Sequence, residues 1–100
     1  MGITESIHKK TTSLTEALEP KRFFGEAKVL MDVRDELRRA RSNHAPMNSS
    51  HESYAVILEE VEEFWAEVQK KRENRSHKQM RSELVQIAAM ACRAIMDLNL

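Results

Sequence analysis

The stretch Ser49-Ser-His-Glu-Ser-Tyr-Ala-Val-Ile-Leu-Glu-Glu-Val-Glu-Glu-Phe-Trp-Ala-Glu-Val68 decides the fold. Apolar residues fall at 54, 57, 58, 61, 64, 65 and 68, the i, i+3, i+4, i+7 spacing of one helical face over four turns. Ser49 and Glu52 have the S-x-x-E spacing of a capping box, in which hydroxyl and carboxylate each reach an amide left unbonded at a helix start. The spacing predicts a helix running to about Lys71, with basic last turns that suit the helix dipole. Glu73-Asn-Arg-Ser76 then reads as a break with Ser76 as N-cap, and a final helix is expected from about His77 to Leu98.

Upstream, Ser42-Asn-His-Ala-Pro-Met-Asn-Ser-Ser50 is rich in turn formers and reads as a loop. Before it, apolar residues at 23, 27, 30, 33, 37 and 40 predict a helix over roughly Phe24 to Arg41. Ser13-Leu-Thr-Glu16 has capping-box spacing and is expected to open a short helix through Leu18, closed before Pro20. Residues 1–22 therefore read as an N-terminal arm, either a short helix or mobile, and residues 23–100 as the helical domain.

Composition points the same way. One hundred residues suffice for one domain, and two Gly with two Pro leave too few turns for a sandwich or barrel. An apolar fraction of 41% with no net charge argues against intrinsic disorder. The single Cys92 excludes a disulfide framework and suits a reducing, cytoplasmic setting. No apolar run approaches the length of a membrane span, and residues 1–19 are too polar for a signal peptide. Sixteen basic against sixteen acidic residues argues against a nucleic-acid partner. The expected class is all-α, a bundle of three to four helices.

The last predicted helix carries two apolar stripes. Met80, Leu84, Ile87, Ala91, Ala94, Ile95 and Leu98 make one, and Val85, Ala89, Cys92 and Met96 make another on roughly the opposite side. A helix apolar on two sides is normally covered on both, so a homo-oligomer with this helix central is expected.

Between those stripes lies a polar strip: Glu83, Gln86, Arg93 and Asp97. Glu83 and Gln86 are three apart, as are Glu60 and Glu63 on the preceding helix, and Glu67 continues the second pair by one turn. Antiparallel packing lets E-x-x-E face E-x-x-Q across a groove. Carboxylates converging there cannot all stay ionised without a cation. Oxygen ligands without thiolate or imidazole suit Mg²⁺ or Mn²⁺, and Mg²⁺ commonly bridges to substrate phosphates. The competing reading is a solvated acidic helix face.

At these residues the chain resembles the MazG-like branch of the all-α nucleoside triphosphate pyrophosphohydrolases. Glu59-Glu-Val-Glu-Glu63 and Glu83-Leu-Val-Gln86 stand where that family has E-E-x-x-E and, some twenty residues on, E-x-x-D. The text around both motifs, and more weakly Asp32-Val-Arg-Asp-Glu-Leu-Arg-Arg-Ala40, is similar to small phage and mobile-element members. The likeness covers about residues 28–98 and implies a MazG-like domain that dimerises or tetramerises. It implies Mg²⁺-dependent cleavage of an NTP or dNTP to the monophosphate and pyrophosphate, a house-cleaning reaction. By position, Glu60, Glu63 and Glu83 become metal ligands, joined by the Gln86 amide oxygen. Glu59 becomes a water-orienting carboxylate, so that Glu59 and Glu60 are the catalytic pair. Lys78, Arg81 and Arg93 become candidates for the phosphates, Lys78 and Arg81 having the alternative of solubilising the helix end and Arg93 that of an i, i+4 pair with Asp97. Trp65 and His51 become candidate base contacts, Trp65 having the alternative of a core position. Gln86 departs from the family's Asp and removes one charge. A nucleotide binder with weakened turnover and a non-catalytic helical interaction protein are the alternatives.

Two further half-motifs are weaker. Glu5-Ser-Ile-His8 is a lone E-x-x-H, and His51-Glu52 lacks the second histidine of a zinc motif.

Overall fold

A computed structural model describes the backbone of residues 13–100 and the side chains of residues 25–100. Helix α1 spans Ser13–Asn43, α2 spans Ser50–Val68 and α3 spans His77–Asp97, with one 3-10 turn at Arg72–Asn74. No strand occurs among the described residues. By its contacts the chain divides into two units, Met1–Met31 and Asp32–Leu100, and the second contains the candidate site. The Glu5–His8 half-motif lies outside the described residues.

The expected break before Pro20 is not found. Helix α1 continues from Ser13 through Pro20 to Asn43, because a proline removes one intrahelical bond rather than all of them. Burial rises along its length: Leu30 is exposed, Val33 and Leu37 are half-buried, and Ala40 is fully enclosed.

The start of α2 follows its sequence closely. Ser49 Oγ accepts the Glu52 amide at 3.1 Å. The Glu52 carboxylate reaches back one residue further than the box requires, accepting the Asn48 amide at 2.7 Å. The helix ends at Val68, three residues short of the expected Lys71. Glu67 explains the early stop. Its Oε2 accepts the Ser76 amide at 2.6 Å and its Oε1 pairs with Lys70 at 2.9 Å. One carboxylate thus folds the connection and holds the start of α3, where Ser76 Oγ caps the Gln79 amide. Both hydrogen bonds favour the ionised form, so the Glu67 carboxyl lies below the ordinary range. Glu67 is thereby a turn-forming residue and no longer part of the groove.

α2 and α3 form an antiparallel hairpin, with Glu67 beside Ser76 at the closed end and Glu60 beside Glu83 further along. The end of α3 is closed by Asn99 with φ of 59°. The Leu100 amide donates to the Ile95 carbonyl at 3.1 Å, which is the six-residue bond of a Schellman motif.

The face α3 turns inward centres on the polar strip, and only Ala94 of the first apolar stripe and Ala89 of the second are buried with it. Glu83 and Arg93 are buried, Gln86 and Asp97 are half-buried, and Ala89, Met90 and Ala94 fill the space between. Leu84, Ala91 and Ile95 of the first stripe are exposed, Leu84 at 49% and Ile95 at 53%. On α2 the same rotation leaves Tyr54, Val61 and Trp65 exposed, so Trp65 is not a core residue of this chain. The buried core is small: Ala40, Met47, Ala89, Met90 and Ala94, with Val33, Leu37, Val56 and Ile57 against it.

A buried ion pair ties the loop after α1 to this core. Arg93 Nε lies 3.4 Å from Asp97 Oδ2, and Arg93 Nη2 donates to the Ala45 carbonyl at 2.8 Å. Asp97 Oδ2 accepts the Met47 amide at 3.0 Å, which seats the Met47 side chain in the core. At 8% and 4% side-chain exposure the pair is shielded from water, and removing one member strands the other. Asp97→Ala is therefore expected to destabilise the fold by about 3–5 kcal/mol in urea denaturation. Glu36→Gln, which opens an exposed i, i+3 pair with Arg39, is expected to change it by less than about 1 kcal/mol.

Candidate metal centre and adjoining cavity

Three carboxylates meet in the groove between α2 and α3. Glu60 and Glu63 stand one turn apart on α2, and Glu83 faces them from α3. One oxygen of each lies within 4.8 Å of the other two. Glu83 is buried at 6% exposure, Glu60 is half-buried and Glu63 is exposed at the rim. Burial of Glu83 follows from the inward rotation of α3.

Hydrogen bonding leaves this cluster incomplete. Glu83 Oε2 accepts from Gln79 Nε2 one turn earlier on its own helix. Glu83 Oε1 and Glu60 Oε1 are buried and have no hydrogen-bond partner among the described residues. Among the described residues, no lysine or arginine pairs with Glu60, Glu63 or Glu83.

The charge is unbalanced, and the carboxyls respond. Burial, then the charges of Glu63 and Glu83, push the Glu60 carboxyl up to about 7. Burial and the neighbouring Glu83 raise Glu63 as well. The charge of Glu83 acts on both groups, so the titrations of the cluster are linked. The groove thus favours any positive species, whether a proton or a metal ion, that lets the carboxylates approach one another.

Beside the cluster opens a cavity of about 390 Å³, lined from the end of α1, the following loop, α2 and α3. Ala40, Val56 and Met90 contribute apolar surface to its lining, together with Glu59, Glu60 and Gln86 from the hairpin. Arg39, His44 and Asn48 line it from α1 and the loop. Its volume falls within the range of small-molecule sites, and its lining brings several polar groups together.

In comparisons with protein-family models, with curated proteins and with solved structures, the chain finds no significant match.

The candidates from sequence divide clearly in space. Glu60, Glu63 and Glu83 come together, and Glu59 and Gln86 lie on the adjoining cavity wall. Arg93 reaches the cavity wall, but its guanidinium is engaged by Asp97 and the Ala45 carbonyl. Arg81 is engaged by Asp32 of α1, 2.8 Å away. Lys78, His51 and Trp65 are exposed and do not line the cavity. Sequence reasoning missed Glu36, Arg39 and His44. Glu36 and Arg39 belong to the Asp32–Ala40 stretch whose likeness to the family was weakest. Among Arg34, Arg38, Arg39 and Arg41, only packing distinguishes the one that faces the cavity.

The raised carboxyls make stability depend on pH. A group whose folded pKa lies above its unfolded value holds its proton more tightly when folded. Its effect on stability is therefore most favourable below about pH 4.5 and declines as pH rises through about 7. Glu67, shifted the other way, loses its contribution only as pH falls below the ordinary carboxylate range. Thermal melts in chelator are expected to show a falling Tm across that upper window. Glu60→Gln is expected to flatten the decline and raise the neutral-pH Tm by a few degrees.

Proposed function

We propose that the protein is a Mg²⁺-dependent nucleoside triphosphate pyrophosphohydrolase of the MazG-like type, working as a homodimer or homotetramer. The carrying observation is the convergence of Glu60, Glu63 and Glu83, with two buried carboxylate oxygens lacking a hydrogen-bond partner among the described residues. A purely solvated acidic face has no reason to bury Glu83 against Glu60.

These donors fit a hard divalent ion. Glu60, Glu63 and Glu83 would hold it, with the Gln86 amide oxygen as a neutral fourth ligand. When bound, Mg²⁺ or Mn²⁺ supplies charge neutralisation for a polyphosphate and polarises the phosphorus under attack. Glu59, exposed on the cavity wall, orients the water that attacks the α-phosphorus and takes up its proton. The bond from the α-phosphorus to the bridging oxygen breaks, and pyrophosphate leaves. The apolar surface of Ala40, Val56 and Met90 in the cavity lining accepts the nucleoside.

Gln86 also favours a second reading, a nucleotide binder of slow turnover, because three charges hold a divalent ion less tightly than four. The two readings separate in one assay, pyrophosphate release from a panel of NTPs and dNTPs with Mg²⁺ or Mn²⁺. Turnover by the wild type is expected, reduced at least about a hundredfold in Glu60→Gln and in Glu83→Gln. Absence of turnover in the wild type, or unchanged rates in both variants, removes the enzyme reading. Gln86→Asp is expected to tighten Mn²⁺ binding by titration, and a gain in rate marks Gln86 as the weak point.

Assembly is supported by what the single chain leaves uncovered. Leu84 and Ile95 on α3, with Tyr54, Val61 and Trp65 on α2, are large apolar side chains left exposed on the hairpin. Sedimentation is expected to give a dimer or tetramer, and Ile95→Glu with Trp65→Glu to give a monomer of reduced stability. A wild-type monomer at micromolar concentration excludes the assembly.

A further inference from the structure

Three arginines stand near the groove, and their hydrogen bonds separate them. Arg81 Nη1 donates to Asp32 Oδ2 at 2.8 Å, away from the cavity. Arg93 is buried, with Nη2 on the Ala45 carbonyl, Nη1 against the Met90 sulfur and Nε beside Asp97. Arg39 differs. Its Nε and Nη2 donate to the two oxygens of Glu36, at 3.0 and 2.5 Å, and its Nη1 makes no hydrogen bond among the described residues.

Arg39 lines the 390 Å³ cavity whose wall also includes Glu59 and Glu60, and Glu60 lies near enough for its charge to act on the guanidinium. An unrestrained arginine in that position is drawn onto the carboxylates and neutralises them. The Glu36 fork prevents this by holding one edge of the guanidinium, which leaves Nη1 and the second hydrogen of Nη2 as donors. Two parallel N–H donors on one rigid plane match two phosphate oxygens.

We propose that Arg39 is the phosphate-binding residue of the cavity, donating to a non-bridging oxygen of a polyphosphate, with Glu36 as the positioning residue that holds its guanidinium. The inference deepens the nucleotide reading and rests on it for the identity of the ligand. It also replaces Lys78 and Arg81 as the cationic side of the site. His44 lines the same cavity and is the nearest candidate for a secondary contact.

The Arg39–Glu36 pair is exposed, with Arg39 at 56%, so the fold does not depend on it. The test is calorimetric titration of inorganic pyrophosphate, with and without Mn²⁺, into wild type, Arg39→Gln and Arg39→Lys. Arg39→Gln is expected to weaken pyrophosphate binding about ten- to hundredfold, the range of a charge-assisted hydrogen bond, with Mn²⁺ affinity unchanged. Arg39→Lys is expected to recover part of the loss, since charge is kept and the planar fork is not. Wild-type affinity for pyrophosphate in Arg39→Gln overturns the proposal, as does absence of pyrophosphate binding by the wild type. If pyrophosphate binds through Arg39 while no nucleotide is hydrolysed, the phosphate site stands and the pyrophosphohydrolase reading falls. If nucleotides are hydrolysed with an unchanged KM in Arg39→Gln, that reading stands and the role of Arg39 falls.

Discussion

Burial of the polar strip on α3 is the constraint from which the rest of this structure follows. Glu83, Gln86, Arg93 and Asp97 share one face with Met90, and that face points into the molecule. Buried polar groups must find partners or remain costly. At one end of the strip the requirement is largely met, because Arg93 and Asp97 form an ion pair and each bonds a backbone group of the loop after α1, although Arg93 Nε makes no hydrogen bond among the described residues. At the other end it is not met, because Glu83 faces two more carboxylates. The same helix face is therefore a structural clamp over its last two turns and a charge-frustrated groove over its first two.

The two ends are linked through the loop they enclose. Residues 44–48 take their path from the hydrogen bonds of Arg93, Asp97 and Glu52, and His44, Ala45, Pro46 and Asn48 then line the cavity. The cavity's shape thus depends on an ion pair outside the carboxylate cluster. Arg93 is best understood this way: it faces the cavity, yet its donors are committed to holding the wall. A residue with those bonds cannot release them for a ligand without freeing the loop.

Much of the helical architecture could be read from local chemistry, because caps and periodicity are local. Ser49, Ser76 and the loop rich in turn formers placed the boundaries of α2 and α3 within about three residues. The carboxylate trio was legible because i, i+3 spacing on two helices leaves few ways to pack them. Rotation of α3 was not legible. A sequence with apolar residues on two sides and a polar strip between them suggests burying the apolar sides, and a single chain of this length buries the strip instead. Arg39 was hidden for a related reason: four arginines within eight residues carry the same charge, and only tertiary packing selects one. Pro20 misled because its effect is confined to one hydrogen bond, which a long helix absorbs.

The neutral total charge has a structural meaning once these positions are known. Acids concentrate on α2, and the bases of residues 70–81 follow directly in sequence, so the two blocks invite the view that one serves the metal and the other the phosphates. Their side chains divide otherwise. Lys70 pairs with Glu67 and Arg81 with Asp32, so both serve the connections between helices. The basic side chains that reach the cavity come from α1, the loop and the clamp. A binding site for a metal-carried anion needs its positive groups displaced from the carboxylates, or they collapse into ion pairs and expel the metal. Glu36 supplies that displacement for Arg39 and Asp97 supplies it for Arg93. The carboxylates that matter most to the proposed site are thus of two kinds: three left unpaired in the groove, and two that keep arginines from pairing with them.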